Sequence, residues 1–129
     1  DEASFSGKYV NFDSSWAWPK PVQKTLPVVM GGAAGPKTAA HIAEFCDGWM
    51  PIGGAYDFDG GWAEIKKACD AIGRDPSTIE IGMFYAMGFD ADQIKEHTDK
   101  GAKRGILPLP SEGPDVVLPL LDDYAKNLG

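Results

Sequence analysis

Four times between Leu26 and Leu128, a short apolar run gives way to a stretch with apolar residues at helical spacing, and this alternation constrains the fold more than any other feature of the chain. The first run, Leu26-Pro27-Val28-Val29-Met30, is closed by Gly31-Gly32. Continuous apolar runs of this length suit strands buried on both faces, as in a parallel sheet. Pro36 then stands where a helix would begin, a position that needs no N–H. From Thr38 to Cys46, the residues Ala39, Ile42, Ala43 and Cys46 fall on one helical face, and Asp47-Gly48 ends the pattern. The second run is Trp49-Met50-Pro51-Ile52, followed by a stripe of Trp62, Ile65, Ala68, Cys69 and Ile72 closed by Gly73. Pro76-Ser77-Thr78 leads into the third run, Ile79 to Tyr85, and a third helix starts after Asp90 as N-cap and stops at Gly101. Arg104 to Pro108 is the fourth run, and Pro114 to Leu128 the last helix, with Val117, Leu120, Leu121 and Tyr124 on its inner face.

Strands alternating with helices define an α/β fold with a parallel sheet and right-handed crossovers. Four βα units fit two architectures: a small open sheet, or half of a (β/α)8 TIM barrel, which has eight such units in about 250 residues. Ahead of them, Ser4 to Phe12 alternates polar and apolar and reads as a short β-hairpin with Gly7 near the turn. Ser14 to Pro21 holds two prolines one residue apart and reads as an extended surface connection, with Trp16 and Trp18 as packing pins. The expected division is a hairpin and connection over 1–25 and the four βα units over 26–129.

The bulk properties set limits on function. The chain has 129 residues, 43% of them hydrophobic and 24% charged, an ordinary composition for one domain. Its formal net charge of −7, without a basic stripe, speaks against nucleic acid as a partner. No apolar run approaches the roughly 20 residues of a membrane span, and no secretory signal is visible. The chain opens on Asp1-Glu2-Ala3-Ser4 rather than on Met, as an excised piece of a longer protein would. Cys46 and Cys69 lie in apolar helical patterns with no metal-ligand spacing, and read as buried, reduced thiols of a cytoplasmic protein.

Chemistry concentrates in Met30-Gly31-Gly32-Ala33-Ala34-Gly35-Pro36-Lys37-Thr38. This segment joins a strand to a helix N-terminus. Small residues let a ligand approach the backbone, and the helix start offers unpaired N–H groups with a partial positive charge. Lys37 and Thr38 add a cation and a hydroxyl. The loop has neither the GxxxxGK[ST] spacing of a P-loop nor the GxGxxG dinucleotide fingerprint. A phosphate seat and a plain βα turn are both open on these residues alone.

The ordered set Pro19-Lys20-Pro21-Val22-Gln23, Leu26 to Gly32, Gly35-Pro36-Lys37-Thr38-Ala39-Ala40 and Asp47-Gly48-Trp49-Met50-Pro51-Ile52 resembles the luciferase-like monooxygenase family, in particular its deazaflavin-dependent branch. Ser4 to Tyr9 and Gly101 to Pro108 extend the resemblance over nearly the whole chain. It implies strands five to eight of a (β/α)8 barrel, an oxidoreductase or monooxygenase activity for the intact enzyme on a small organic substrate, and a cofactor that is either FMN or deazaflavin coenzyme F-420. It also implies that Ala33, Ala34, Gly35, Lys37 and Thr38 bind the cofactor phosphate, with Gly31 and Gly32 shaping the turn. Strands one to four, which carry the family's catalytic groups, have no counterpart here, so no residue inherits a catalytic role. Half a barrel leaves two sheet edges and an inner face uncovered, and a homo-oligomer is expected to cover them.

The other polar residues have simpler readings. His41 lies beside an apolar stripe as a partly exposed structural residue, and His97 falls on a solvated helix face among Lys95, Glu96 and Asp99. Asp57 and Asp59 flank Phe58 in the Gly53–Gly61 loop, with Asp59 as the expected helix N-cap. Trp49 and Met50 either line the cofactor site or pack in the core. Ser111 and Glu112 follow the last strand at the same end as a substrate would bind.

Overall fold

A computed structural model describes residues 2–88 and 90–128 of the chain. An antiparallel pair, β1 (Glu2–Ser6) and β2 (Asn11–Trp16), comes first. Gly7 donates to the Val10 carbonyl at 3.0 Å and closes the turn. The hairpin is longer than its alternation indicates, because β2 runs on through Ser14 and Ser15 to Trp16. Glu2 is the reason: its carboxylate accepts from Ser14 Oγ at 2.8 Å and from the Trp16 indole at 2.9 Å, which holds the two strand ends together. Trp16 and Trp18 are not packing pins. They are 74% and 63% exposed.

Four strands then form a parallel sheet in sequence order: β3 (Val29–Gly31), β4 (Gly48–Met50), β5 (Glu80–Phe84) and β6 (Arg104–Ile106). Helix α1 (Pro36–Phe45) follows β3, α2 (Phe58–Ile72) follows β4, α3 (Ala91–Asp99) follows β5, and α4 (Pro114–Leu128) follows β6. A single 3₁₀ turn, Pro76–Thr78, leads into β5. The α/β alternation read from the sequence is therefore the observed one. The strands are shorter than the apolar runs. β3 starts at Val29 rather than Leu26, and the Asp47 side chain accepts from the Val28 N–H at 2.8 Å just before it. Beyond Met50, the chain keeps only a bridge between Ile52 and Phe84.

One face of the sheet carries the core. Trp49, Ile81, Met83 and Tyr85 point toward the helices and pack with Ala39, Ile42 and Ala43 of α1, with its C-cap Cys46, and with Phe58, Ile65 and Cys69 of α2. The α1 stripe is buried as its spacing requires. In α2 the stripe stops one turn early: Ile72 is 60% exposed, since Gly73 in the left-handed conformation (φ +70°) turns the chain away. In α4, Val117 and Leu120 are half-buried and Tyr124 is buried, but Leu121 is exposed. Tyr124 Oη donates to the Pro108 carbonyl at 3.1 Å and ties α4 to the end of β6.

The expectation of strands buried on both faces fails on the second face. Val29, Phe84 and Ile106 are 45%, 36% and 42% exposed there. The residues are apolar as in a covered sheet, but no element among the described residues covers them.

Arg74, directly after Gly73, closes the C-terminus of α1. Its guanidinium donates to the carbonyls of Ile42, Ala43 and Cys46 at 3.1, 2.9 and 2.8 Å, and its Nε donates to Thr78 Oγ1 at 3.1 Å. Helix ends leave carbonyls without intrahelical partners and carry partial negative charge, so a half-buried fork of donors there satisfies both needs.

Candidate functional site

The β3–α1 loop is built from beneath by β4. Gly32 has φ +94°, the left-handed region that a side chain rarely enters. Its N–H donates to the Met50 carbonyl at 3.3 Å, and its carbonyl accepts from the Trp49 indole at 2.9 Å. Trp49 is fully buried. Ala34 is also buried, with its methyl group turned toward Gly61 and the core, so within the loop it acts as the anchor. Ala33, Gly35 and Lys37 are exposed, and Thr38 is half-buried.

Gly35 is the N-cap of α1, with extended backbone and no side-chain cap, and Pro36 follows at the first helical position. The Gly35 carbonyl accepts from Ala39 at 2.8 Å. The N–H groups of Lys37 and Thr38 precede that first intrahelical bond and have no partner within the helix. There is no acidic residue in the first turn. The starts of α2 and α3 differ. Asp57 caps α2 by accepting from Gly60 at 3.0 Å, and Asp90 caps α3 by accepting from Gln93 at 3.1 Å. Those two ends are satisfied by carboxylates of the chain itself, while the α1 end combines free donors with an uncompensated positive dipole end.

Gly31 and Gly32 connect this end to an apolar hollow of about 480 Å³ on the uncovered sheet face, bordered also by Val29, Met50, Ile52, Phe84 and Ile106. Toward the other end of the same face, Arg104 and Glu80 form an ion pair at 3.3 Å. The structure thus brings the loop glycines together with Met50. It separates Trp49, which serves the core and the Gly32 carbonyl.

The remaining polar candidates resolve without a shared site. Asp57, not Asp59, is the α2 N-cap. Two residues nearer the N-terminus, just ahead of the helix, Asp57 can fold its carboxylate over the first free N–H groups, whereas Asp59 already lies in the first turn. Asp59 instead accepts from Lys100 Nζ at 2.7 Å, and Lys100 also reaches Glu96 at 2.8 Å; these hydrogen bonds push the Lys100 ammonium up from its ordinary value.

His97 is not on a solvated face. It is 6% exposed, packs against Phe58 and Tyr85, and its Nδ1 lies 3.3 Å from Tyr85 Oη. Its polar sequence neighbours are exposed, but His97 itself is the one residue of that turn that faces the sheet. Burial holds its pKa below the ordinary value. His41 is exposed and tilts over Phe45 at 5.8 Å. Ser111 and Glu112 are exposed between β6 and α4. Cys46 and Cys69 are buried free thiols, pushed up by burial and so held in the unreactive protonated form. Among the described residues, no group of three or more His, Cys, Asp and Glu could hold a metal ion. No helix among them is long and apolar enough to cross a membrane.

Sequence reasoning missed Arg74 and the apolar lining residues Phe84 and Ile106. The lining had a signal: Phe84 and Ile106 are set at alternate strand positions from Gly82 and Arg104 and so share a face with them. Arg74 had none, because its partners are carbonyls 28 to 32 residues away.

Residues 1–107 match the profile of the luciferase-like monooxygenase family, and the chain belongs to that family. It is 31% identical, over 115 residues, to the uncharacterized protein Rv0953c of Mycobacterium tuberculosis and equally to the uncharacterized protein Mb0978c of Mycobacterium bovis. In each case the match covers 89% of this chain and 39% of the relative, so the chain spans well under half the length of these relatives. Among solved structures it is similar to an F420-dependent secondary alcohol dehydrogenase in complex with an F420-acetone adduct, with 24% identity, a TM-score of 0.47, and coverage of 64% of this chain and 25% of that one.

Proposed function

We propose that this chain is the C-terminal half of a luciferase-like flavin- or deazaflavin-dependent oxidoreductase, a half-barrel of four βα units over 26–129 behind the hairpin and connection of 1–25, and that it contributes the cofactor-phosphate loop. The observation that carries the reading is the α1 N-terminus: it has free N–H groups, no capping side chain and no acidic first turn, and it opens through Gly31 and Gly32 onto the apolar hollow. Membership of the monooxygenase family and the sequential parallel sheet support it.

The residues present fit a phosphate ester on a long chain. Ala33, Ala34, Gly35, Lys37 and Thr38 would surround the phosphate, mainly through backbone N–H groups, and Gly31 and Gly32 would let the attached chain pass close to the strand. Val29, Met50, Phe84 and Ile106 offer one apolar wall beyond it. FMN and deazaflavin coenzyme F-420 both have the required shape and charge. Bound there, such a cofactor supplies the redox chemistry of the intact enzyme, on a small organic substrate. The residues of this chain bind and orient; none is assigned a catalytic step. Two buried free thiols agree with a cytoplasmic setting.

The uncovered sheet face favours a second reading, in which the chain is a phosphate-binding or oligomerisation module without turnover. In that reading, two copies bring their inner faces together as a homo-oligomer.

Fluorescence titration of the chain with FMN and with deazaflavin coenzyme F-420, with Gly35→Asp as control, tests the phosphate loop. A Cβ at Gly35 meets nothing within 4 Å, so the substitution adds a negative charge without a clash. Binding abolished in the variant supports the reading. Binding of neither cofactor, or equal binding by both chains, sinks it.

A further inference from the structure

The Gly32–Ala33 peptide is set in one orientation by a residue outside the loop. Trp49, in the middle of β4, donates its indole N–H to the Gly32 carbonyl at 2.9 Å, while the Gly32 N–H is held by the Met50 carbonyl at 3.3 Å. Both polar groups of Gly32 are thus fixed by the neighbouring strand. The indole has no room to turn. It stacks on Phe58 at 5.5 Å, and a Cβ on Gly61 would come within 2.9 Å of its Cη2.

In a trans peptide the carbonyl and the following N–H point in opposite directions. A Gly32 carbonyl turned onto the buried Trp49 therefore turns the Ala33 N–H away from the core, at a residue that is exposed. No backbone carbonyl of the described residues accepts from it. The positive φ of Gly32 is what allows this orientation at the end of a strand.

We infer that Trp49 is a positioning residue for anion binding: its hydrogen bond to the Gly32 carbonyl presents the Ala33 N–H to a phosphate group, next to the N–H groups of Lys37 and Thr38. Unpaired backbone N–H groups at a loop and a helix start attract an anion, and here the loop donor is aimed from beneath by an indole. The inference rests on the phosphate reading above. It adds a residue that no ligand touches and gives a buried tryptophan a task besides packing.

The test is an NMR titration of the ¹⁵N-labelled chain with inorganic phosphate, read amide by amide. In the natural chain Ala33, Lys37 and Thr38 shift together. In Trp49→Phe, which keeps a ring and drops the donor, the Ala33 response is lost while Lys37 and Thr38 still shift, with affinity weaker by about tenfold, the range of one charge-assisted hydrogen bond. A purely packing role for Trp49 would move all three amides alike. An unchanged Ala33 response overturns the positioning role and leaves the phosphate reading standing. Silence of all three amides in the natural chain overturns both. Should Trp49→Phe unfold, Gly32→Ala carries the test, because it strains the same peptide where a Cβ meets nothing within 4 Å. Selective loss at Ala33 then supports the inference, and an unchanged response overturns it.

Discussion

Tyr85 Oη lies 3.3 Å from His97 Nδ1 inside the core, and this pair joins the end of β5 to α3. A neutral imidazole can accept from the phenol there, and burial raises the Tyr85 hydroxyl so that it stays a donor. A protonated imidazole cannot accept, and its charge would be buried beside Phe58. The charged groups around it are Glu96 and Asp59, which favour protonation, and Lys100, which opposes it; burial outweighs them.

The folded chain therefore takes up a proton at His97 less readily than the unfolded chain does. The stability this group contributes is complete above the ordinary histidine value of 6.5 and is lost as the pH falls through it toward the depressed folded value. Urea midpoints measured from about pH 8 down to pH 5 are expected to drop for the natural chain and to drop less for His97→Gln. Equal slopes in the two chains would remove His97 as the source.

Arg74→Ala takes three donors from the end of α1 at once. The expected loss is about 2–3 kcal/mol, set by charged donors to partly buried carbonyls. Arg74→Lys is expected to recover only part of it, because an ammonium has no planar fork. Chemical denaturation measures both. An alanine variant within about 0.5 kcal/mol of the natural chain would mean that water replaces the guanidinium.

Gly61→Ala places a methyl group 2.9 Å from Trp49 Cη2 and 3.4 Å from the Ala34 methyl group. Neither neighbour can retreat, so the expected cost is about 1–3 kcal/mol of overpacking. The near-ultraviolet circular dichroism should change with it, since the Trp49 environment shifts. A variant as stable as the natural chain, with an unchanged spectrum, would contradict the close approach of α2 to β4.

Ile106→Glu adds a charge to the uncovered sheet face at a residue 42% exposed, where the fold itself tolerates it. If two copies cover one another there, light scattering at micromolar concentration gives a dimer or larger for the natural chain and a monomer for the variant. A natural chain that is monomeric at that concentration would rule out self-association through this face.

The alternation of elements was legible because it rests on periodicity, which is local. Ala39, Ile42, Ala43 and Cys46 repeat at helical spacing and are all buried. Pro36, Gly73 and Asp90 mark helix boundaries by chemistry that acts within a turn. What failed depended on distant partners. Two carboxylates two residues apart compete for one N-cap, and the fold gave it to Asp57. His97 sits in a polar stretch and is buried because Tyr85 and Phe58 come to it from other elements. Leu26 and Val28 read as buried strand, but their exposure depends on what lies against the sheet. In the candidate site, small residues and a helix start were visible in the sequence. The support from Trp49 was not, because an indole bonded to a carbonyl 17 residues away leaves no periodic trace.

The reach of Arg74 also bears on the order in which the chain assembles. Its partners in α1 lie at most 32 residues back, so β3, α1, β4 and α2 can meet through short closures before β5 and β6 have been added. Among the described residues, helix α3 has no comparable clasp and is held to the rest by Ile94 against the core, the Tyr85–His97 pair, the contact of His97 with Phe58 and the bridge from Lys100 to Asp59. On heating or in denaturant, α3 should fray while the α1–α2 unit still protects its amides, so that the molecule comes apart from its C-terminal side and the β3–α1 loop is among the last structures to be lost.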